Sequence, residues 1–252
     1  MNTAPDGSAV ADDLRRRLGP RHPVAAVATV VSGEASTAVI GAPEGSTFEL
    51  GSISKGITGL LYADAIERGE VTGGTRLGEV LPLDGTPAGK VTLAALSTHT
   101  SGLPRLPTGF GTLRRSIALW RHGTNPYGET LDELLAATRS TPVGAPRPRY
   151  SNLGFELLGH AVAAAAGRQF GVLLQDRIAG PLGVTSLYAP HTTAELDPAA
   201  LRGRGRGGRL QEPWTGEAIA PAGGIRATIA DTATLAAALL DGSAPGVAAL
   251  EP

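Results

Sequence analysis

Ser52 and Lys55, three residues apart, form the first pair of side chains in this sequence that could do chemistry. They stand at the start of an apolar segment that we expect to be helical, and this spacing places both on one helix face. A serine hydroxyl becomes a useful nucleophile when a neighbouring base takes its proton. A lysine whose pKa is lowered by burial can be that base or can hold another one. A helix N-terminus also favours the negative charge that develops during attack.

The same spacing has a simpler interpretation, in which no chemistry takes place. Ser52 would cap the helix, and Lys55 would be a solvated residue of its first turn. Ser54 is a second candidate nucleophile, but it is only one residue from Lys55 and so faces another direction. The Ser-x-x-Lys spacing by itself leaves both interpretations open.

A second polar group, Tyr150-Ser151-Asn152, follows a proline-rich segment and precedes another apolar helix. A tyrosine at such a junction can point into a cleft, where a nearby ammonium would lower its pKa and let it relay a proton. The side chain of Asn152 offers a carbonyl and an amide, which suits it to hold both a lysine and a substrate amide. The alternative is that Tyr150 packs as a half-buried aromatic residue and Asn152 caps the helix.

Five blocks in a fixed order extend these two groups across the chain. They are FELGSISK at 48–55, LSTHTSGLP at 96–104, YSNLGFELLG at 150–159, PLGV at 181–184 and APAGGI at 220–225. In order and separation this set resembles the serine β-lactamase and penicillin-binding-protein-like hydrolases. Within them it is most similar to the branch of class C β-lactamases, esterases and D-aminopeptidases. The resemblance runs from about Pro23 to about Leu240.

The resemblance implies an α+β, β-lactamase/transpeptidase-like fold, in which helices flank an antiparallel sheet and a helical subdomain (roughly 70–215) carries the tyrosine motif. Matched position by position, it implies that Ser52 is the acylated nucleophile, Lys55 its activating partner and Tyr150 a proton shuttle. It also implies that Asn152 orients Lys55 and the substrate. The reaction would acylate Ser52 and then hydrolyse or transfer the acyl group, as at other Ser-x-x-Lys sites, and no cofactor is expected.

One block of the family's pattern has no counterpart in this sequence. The family carries a Lys- or His-Thr-Gly motif, or a His-Gly relative, on a strand after the last helix. The nearest string, His122-Gly123-Thr124, precedes Tyr150 and has its letters in another order. Three explanations are open: a fragment of a longer chain, strands supplied by another chain, or a degenerate relative without catalysis. We expect the first, with 1–252 as a single domain that lacks its C-terminal strands.

Hydrophobic periodicity and capping residues predict the elements that would position these groups. Residues 23–31 and 36–40 are predicted to form a β-hairpin, because the first segment is rich in Val and Ala and Ser32-Gly33 can turn between the two. Helices are predicted at 8–19, 50–69, 92–96, 131–139, 153–166, 170–179 and 228–240. We expect Ser8, Thr92 and Thr228 to cap the first, third and seventh of these helices. Ile53 is predicted to lie on the apolar stripe of the second helix, and Gly180-Pro181 to end the sixth. His99 is interpreted as a buried structural histidine beneath the Ser52 helix.

Composition excludes several classes of function. The chain has 252 residues, 42% hydrophobic and 18% charged, which is a globular balance, and it lacks cysteine. It therefore has no disulfide framework, thiolate zinc site or cysteine nucleophile, and no His/Asp/Glu cluster has metal-ligand spacing. A net charge of -1 gives no reason to expect a nucleic-acid partner, and the Arg-Gly run at 202–209 is interpreted as a surface loop. No apolar run reaches the ~18 residues of a membrane span.

These observations predict a serine hydrolase that forms a covalent acyl-enzyme with a small ester, amide or β-lactam. The alternative is a non-catalytic binding or partner module on a degenerate scaffold of the same fold. Phe110, Trp120 and Trp214 would either line an acyl pocket or simply pack. The N-terminal segment lacks a basic region followed by an apolar stretch, so we expect a cytoplasmic protein.

Overall fold

The computed structural model describes residues 6–107, 121, 123–205 and 208–250, so Phe110, Trp120 and His122 lie outside the described residues. The helices are α1 (Gly7–Leu18), α2 (Ile53–Glu67), α3 (Leu77–Val80), α4 (Leu93–Ser97), α5 (Leu131–Arg139), α6 (Asn152–Ala165), α7 (Phe170–Leu174), α8 (Gly180–Leu182) and α9 (Ile229–Asp241). The strands are β1 (Ala25–Val31), β2 (Glu34–Ile40), β3 (Phe48–Glu49) and β4 (Arg226–Ala227). Helices together with small antiparallel sheets make the fold α+β, as predicted.

The predicted N-terminal hairpin is confirmed. Strands β1 and β2 pair antiparallel from Ala25 opposite Ile40 to Val31 opposite Glu34. The two-residue turn between them places Ser32 at φ 53° and Gly33 at φ 84°, so both turn residues are left-handed. A turn of this type matches the natural twist of the two strands. Helix α1 packs against this hairpin, and α9 contacts both of its strands.

A second sheet, which the sequence did not predict, joins two distant parts of the chain. Strand β3 pairs antiparallel with β4, so that Phe48 lies opposite Ala227 and Glu49 opposite Arg226. The Arg226 side chain is fully buried, and its guanidinium donates to Glu49 Oε1 at 3.0 Å. Two-residue strands are too short to show an alternating pattern, which is why only the tertiary structure reveals them.

Helix α6 lies at the centre of the core. Every residue from Asn152 to Ala163 is buried, so this helix is covered on all sides. Full burial of a leucine such as Leu157 or Leu158 contributes about 1.5–3 kcal/mol each. Gly159 lets the segment Ala220–Gly224 pack closely against the helix, because a Cβ at this position would lie 2.3 Å from the Pro221 Cβ.

The helical segment from Phe170 continues beyond the predicted stop at Gly180-Pro181. A π-helical turn (Gln175–Ala179) follows α7, and α8 adds a further turn that ends at the left-handed Gly183, φ 65°. Pro181 removes one backbone donor from this continuing segment, and the π-helical turn just before it, where the helical hydrogen-bond pattern shifts, accommodates the proline. In the described residues no single helix is long and apolar enough to cross a membrane; only 152–165 and 170–182 together, bent by 79°, meet the length and composition test.

Two further expectations about the helices are wrong in detail. Asp6, not Ser8, occupies the N-cap position of α1, and Ser8 lies inside the first turn. Ile53, which the sequence placed on the apolar stripe of the second helix, is 56% exposed. The predicted caps of α4 and α9 are confirmed, since Thr92 accepts from Ala95 N and Thr228 from Asp231 N.

Candidate active site

Ser52 lies at the start of α2, where a left-handed glycine turns the chain out of β3. Gly51 has φ 54°, a conformation that favours glycine. Ser52 occupies the N-cap position, but its side chain makes no capping hydrogen bond and the residue is exposed. The interpretation of the Ser52 side chain as a helix cap is therefore wrong, because the hydroxyl bonds to groups outside the helix backbone.

The structure brings Ser52, Lys55 and Tyr150 into direct contact. Ser52 Oγ and Tyr150 Oη are 2.5 Å apart and hydrogen-bonded, although 98 residues separate them in the chain. Lys55 Nζ donates to Ser52 Oγ at 3.3 Å and lies 4.8 Å from the centre of the Tyr150 ring. The expected meeting of a hydroxyl, an amine and a phenol is thus observed.

Lys55 is buried, and a backbone carbonyl holds its ammonium. The residue is 6% exposed, and Nζ donates to the Ala222 carbonyl oxygen at 2.5 Å. The segment 220–225, which contains Ala222, also bonds to α2 at two neighbouring points. Thr58 Oγ1 donates to Pro221 O at 2.7 Å, and Ser54 Oγ accepts from Ile225 N at 3.2 Å. Ser54 is therefore buried and engaged, which leaves Ser52 as the accessible hydroxyl.

The contribution of Ala222 is one that sequence reasoning missed. Its block, APAGGI at 220–225, is part of the resemblance, but no side chain there suggests chemistry. The contact depends on a main-chain carbonyl in a π-helical turn, and that geometry has no signature in residue types.

Tyr150 lies directly before α6, and the residue after it caps that helix. Ser151 Oγ accepts from Gly154 N at 2.9 Å and donates to Pro104 O at 2.6 Å. The alternative in which Asn152 caps the helix is therefore wrong. Asn152 is buried, and its side chain makes no hydrogen bond with any residue the structure describes, so its role in orienting Lys55 stays a prediction.

The electrostatics of the site act differently on its two acidic groups. Burial raises the pKa of the Tyr150 phenol, but the Lys55 ammonium, the Ser52 hydrogen bond and the charge of Arg105 outweigh it, and the pKa is lowered overall. Glu156, buried one turn after Asn152, shows the opposite result. Burial raises its pKa to about 8, although the charge of Lys55 partly counteracts this. At neutral pH the site therefore holds a neutral carboxyl group near a buried lysine.

Glu156 is a second residue that sequence reasoning missed. The signal available was a single glutamate in the otherwise apolar run LGFELLG at 153–159. Periodicity would have placed it among buried positions, where an unpaired carboxyl is costly.

The other sequence candidates lie around this centre. His99 is half-buried beside the Tyr150 ring, not fully buried beneath α2 as predicted. Trp214 packs edge-on against Tyr127, with ring centres 4.9 Å apart. The described part of the Arg-Gly run is mostly exposed, which agrees with a surface loop. Within the described residues, no group of three or more His, Asp or Glu side chains could hold a metal ion.

Known proteins are similar to this chain in sequence and in fold. The model of the beta-lactamase family matches residues 10–252. The D-alanyl-D-alanine-carboxypeptidase/endopeptidase AmpH of Escherichia coli (strain K12) is 30% identical over 58% of this chain and 37% of its own length. Penicillin-binding protein 4 of Amycolatopsis lactamdurans is 30% identical over 70% of this chain and 43% of its own length. The matched segments thus span less than half of these relatives.

A solved structure is similar to this chain in fold. The crystal structure of D-alanine carboxypeptidase AmpC from Burkholderia cenocepacia superposes with a TM-score of 0.74 at 26% identity, over 96% of this chain and 68% of that one. The fold is therefore β-lactamase/transpeptidase-like. Because the family model covers nearly the whole sequence, this chain belongs to the beta-lactamase family.

Proposed function

We propose that this protein is a serine hydrolase that forms a covalent acyl-enzyme on Ser52 with a small ester, amide or β-lactam. The observation that carries the proposal is the 2.5 Å hydrogen bond between Ser52 Oγ and Tyr150 Oη beside the buried Lys55 ammonium. An exposed hydroxyl, a proton acceptor and a buried cation within contact distance are what an activated serine requires.

In the acylation step, Ser52 Oγ forms a bond to the substrate carbonyl carbon while its proton moves to the Tyr150 oxygen. The lowered pKa of Tyr150 favours the phenolate that accepts this proton, and the Lys55 ammonium stabilises that anion. The Ser52 backbone N–H, at the start of α2, has no acceptor among the described residues and can donate to the developing oxyanion. Collapse of the tetrahedral adduct breaks the bond to the leaving group, which takes the proton from Tyr150.

In the second step, water attacks the acyl carbon and restores Ser52. Tyr150 takes a proton from the water and returns one to Ser52 Oγ as the ester bond breaks, so the net reaction is hydrolysis. The names of relatives support this substrate class, since one is a D-alanyl-D-alanine-carboxypeptidase/endopeptidase and another is called a beta-lactamase. Both names describe enzymes that cleave amide bonds.

The test is covalent labelling of the protein with a fluorescent β-lactam and a chromogenic ester, followed by intact-mass measurement. We expect wild-type protein to gain one acyl group and Ser52→Ala to gain none. Ser54→Ala is the matched control, because it removes a neighbouring hydroxyl that is buried and bonded to Ile225 N, and it should still be labelled.

Two outcomes would contradict the proposal. Labelling that persists in Ser52→Ala would place the nucleophile elsewhere. No adduct on wild-type protein, across esters, β-lactams and D-amino acid amides, would favour the non-catalytic binding module instead.

A further inference from the structure

We propose that His99 is a positioning residue for Tyr150, holding the phenol against Ser52 and Lys55. The catalytic meaning of this proposal rests on the proposed function, but the positioning itself can be measured without activity. Three independent contacts of His99 carry it, and none of them involves the reacting atoms.

The backbone and ring of His99 hold the residues on both sides of Tyr150. Arg149 N donates to the His99 carbonyl oxygen at 2.8 Å, and Ser151 N donates to His99 Nδ1 at 3.2 Å. The residues on either side of Tyr150 are thus both bonded to one residue, which lies 51 positions before Tyr150 in the chain. This matters because the preceding segment, 142–149, has no regular secondary structure to hold the tyrosine.

The imidazole also packs between two aromatic rings. Its centre lies 4.8 Å from that of Tyr150 and 4.7 Å from that of Phe155, both tilted. Tyr150 is 43% exposed, so a large part of its side chain has no protein packed against it. His99 therefore restricts the side-chain torsions of Tyr150 from the buried side.

The backbone of His99 is left-handed because this residue ends α4: His99 N donates to Leu96 O at 3.1 Å and Thr100 N donates to Ala95 O at 2.9 Å. Its φ is 57°, and only Ser32 shares a left-handed conformation among the non-glycine residues described. Such conformations cost free energy in non-glycine residues, and His and Asn are among those that adopt them more often. The end of α4 thus fixes the His99 backbone, and from there the His99 carbonyl and ring both reach the Tyr150 segment.

The acceptor role of Nδ1 determines the protonation state of His99. A nitrogen that accepts from Ser151 N–H cannot carry a proton, so the ring is neutral with its proton on Nε2. Burial and the charge of Lys55 lower the pKa of His99, which keeps this state at neutral pH. The charged and titratable groups near the His99–Tyr150 pair include Lys55 from α2, Arg105 from the loop after α4, and Tyr127, which interacts with the charge of Tyr150. The charge of Lys55 opposes protonation of the imidazole, and the charge of Arg105 helps to lower the pKa of Tyr150.

The first experiment follows the Tyr150 phenol directly by NMR of protein carrying ¹³Cζ-tyrosine. The chain has four tyrosines, and Tyr150→Phe identifies the resonance of interest. We expect the Tyr150 pKa to lie lowest in wild type, to rise in His99→Asn and to approach the ordinary tyrosine value in His99→Ala. Asparagine tolerates the left-handed backbone and places an amide oxygen near Nδ1, so it should restore part of the effect.

The second experiment measures acylation of Ser52 by the fluorescent β-lactam as a function of concentration and pH. His99→Ala should lower the limiting acylation rate at least tenfold with less than a threefold change in apparent affinity. His99→Asn should recover part of the acylation rate. In wild type, protonation of His99 should lower this rate at acid pH, and the pH profile of His99→Asn should lack that decrease. If wild type shows no acylation, the proposed function fails while the tyrosine titration still tests the positioning.

The control is His160→Gln, which alters another buried histidine whose ring nitrogen bonds to a backbone carbonyl, that of Glu217 at 3.1 Å. It should lower thermal stability without moving the Tyr150 pKa. An unchanged Tyr150 pKa in both His99 variants would overturn the proposal. So would ¹⁵N NMR of wild type showing the His99 proton on Nδ1, a measurement that needs no variant to fold.

Discussion

Helix α2 carries a buried charged side chain near each of its ends, and the two meet very different partners. Near the N-terminal end, Lys55 contacts a carbonyl oxygen and a hydroxyl, and no carboxylate among the described residues lies within ion-pair distance of it. Near the C-terminal end, Asp64 accepts from Arg177 Nη1 at 3.0 Å and from Arg68 Nε at 2.8 Å.

The cluster near the C-terminal end of α2 consists of Asp64, Arg68, Glu70 and Arg177, and these charged groups pair with one another. Arg177 also binds Glu70 with both terminal nitrogens, at 2.8 and 2.7 Å. This bidentate contact lowers the pKa of Glu70 and raises that of Arg177, so both groups stay charged. Charged groups that stabilise each other in this way exchange no protons at ordinary pH and serve structure.

The cluster near the N-terminal end of α2, formed by Lys55, Ser52, Tyr150 and Glu156, contains no ion pair between a lysine and an ionised carboxylate. Its carboxyl group, Glu156, has a pKa raised to about 8 by burial and is neutral at pH 7, while the Lys55 ammonium faces groups that can themselves gain or lose protons. The comparison shows how one helix separates two uses of buried charge. Complete pairing stabilises the fold, whereas incomplete pairing leaves a group free to take part in proton transfer.

The largest effect is expected for Lys55→Met. Acylation of Ser52 should fall by at least about 1000-fold, because the phenolate of Tyr150 loses the cation that stabilises it. The free energy of unfolding should decrease by no more than about 2 kcal/mol, because the Ala222 carbonyl loses its donor while Tyr150, no longer beside a cation, stays protonated and neutral. Labelling rates and urea denaturation measure the two effects. A loss of stability above about 4 kcal/mol would show that Lys55 is a structural cation like Arg177.

Arg177→Met should have the opposite profile. Two carboxylates would lose their shared partner, and breaking such a partly buried pair costs about 3–5 kcal/mol. The folded fraction should still be labelled at the wild-type rate. Arg168→Met is the matched control, because its ion pair with Asp176 is exposed and 3.7 Å long; its removal should cost less than about 1 kcal/mol. Equal losses in the two variants would contradict the importance we assign to burial.

Glu156→Gln tests, through the pH dependence of stability, whether the carboxyl group near Lys55 is neutral in the folded protein. The folded-state pKa of Glu156, about 8, lies above its unfolded value of 4.5, so its favourable contribution is complete below pH 4.5 and is lost as the pH rises towards 8. The glutamine variant lacks this loss. Its stability relative to wild type should therefore rise by on the order of 3 kcal/mol between pH 5 and pH 8.

Urea denaturation at the two pH values tests this, with the exposed Glu67→Gln as control. The control should show no comparable dependence on pH. A relative stability of Glu156→Gln that stays constant or falls with pH would mean that Glu156 is ionised in the folded protein.

Much of the fold could be predicted because its signals are local. The Ser32-Gly33 turn, the caps at Thr92 and Thr228 and the apolar spacing of α2 each act within a few residues. The same holds for α5, where Thr130 and Glu133 form a capping box. Errors arose where a local rule met tertiary packing, as at Pro181, which a π-helical turn accommodates, and at Ile53, which no neighbouring element covers.

For the site, the sequence by itself determined which groups could react: a serine and a lysine on one helical turn, and a tyrosine before a buried helix. It could not determine the partners that give these groups their properties. The Ala222 carbonyl, the His99 ring and the neutral Glu156 act across gaps of 51 to 167 residues or through burial. Hydrogen-bond acceptors on the main chain and the local dielectric belong to no residue type, so only the tertiary structure decided them.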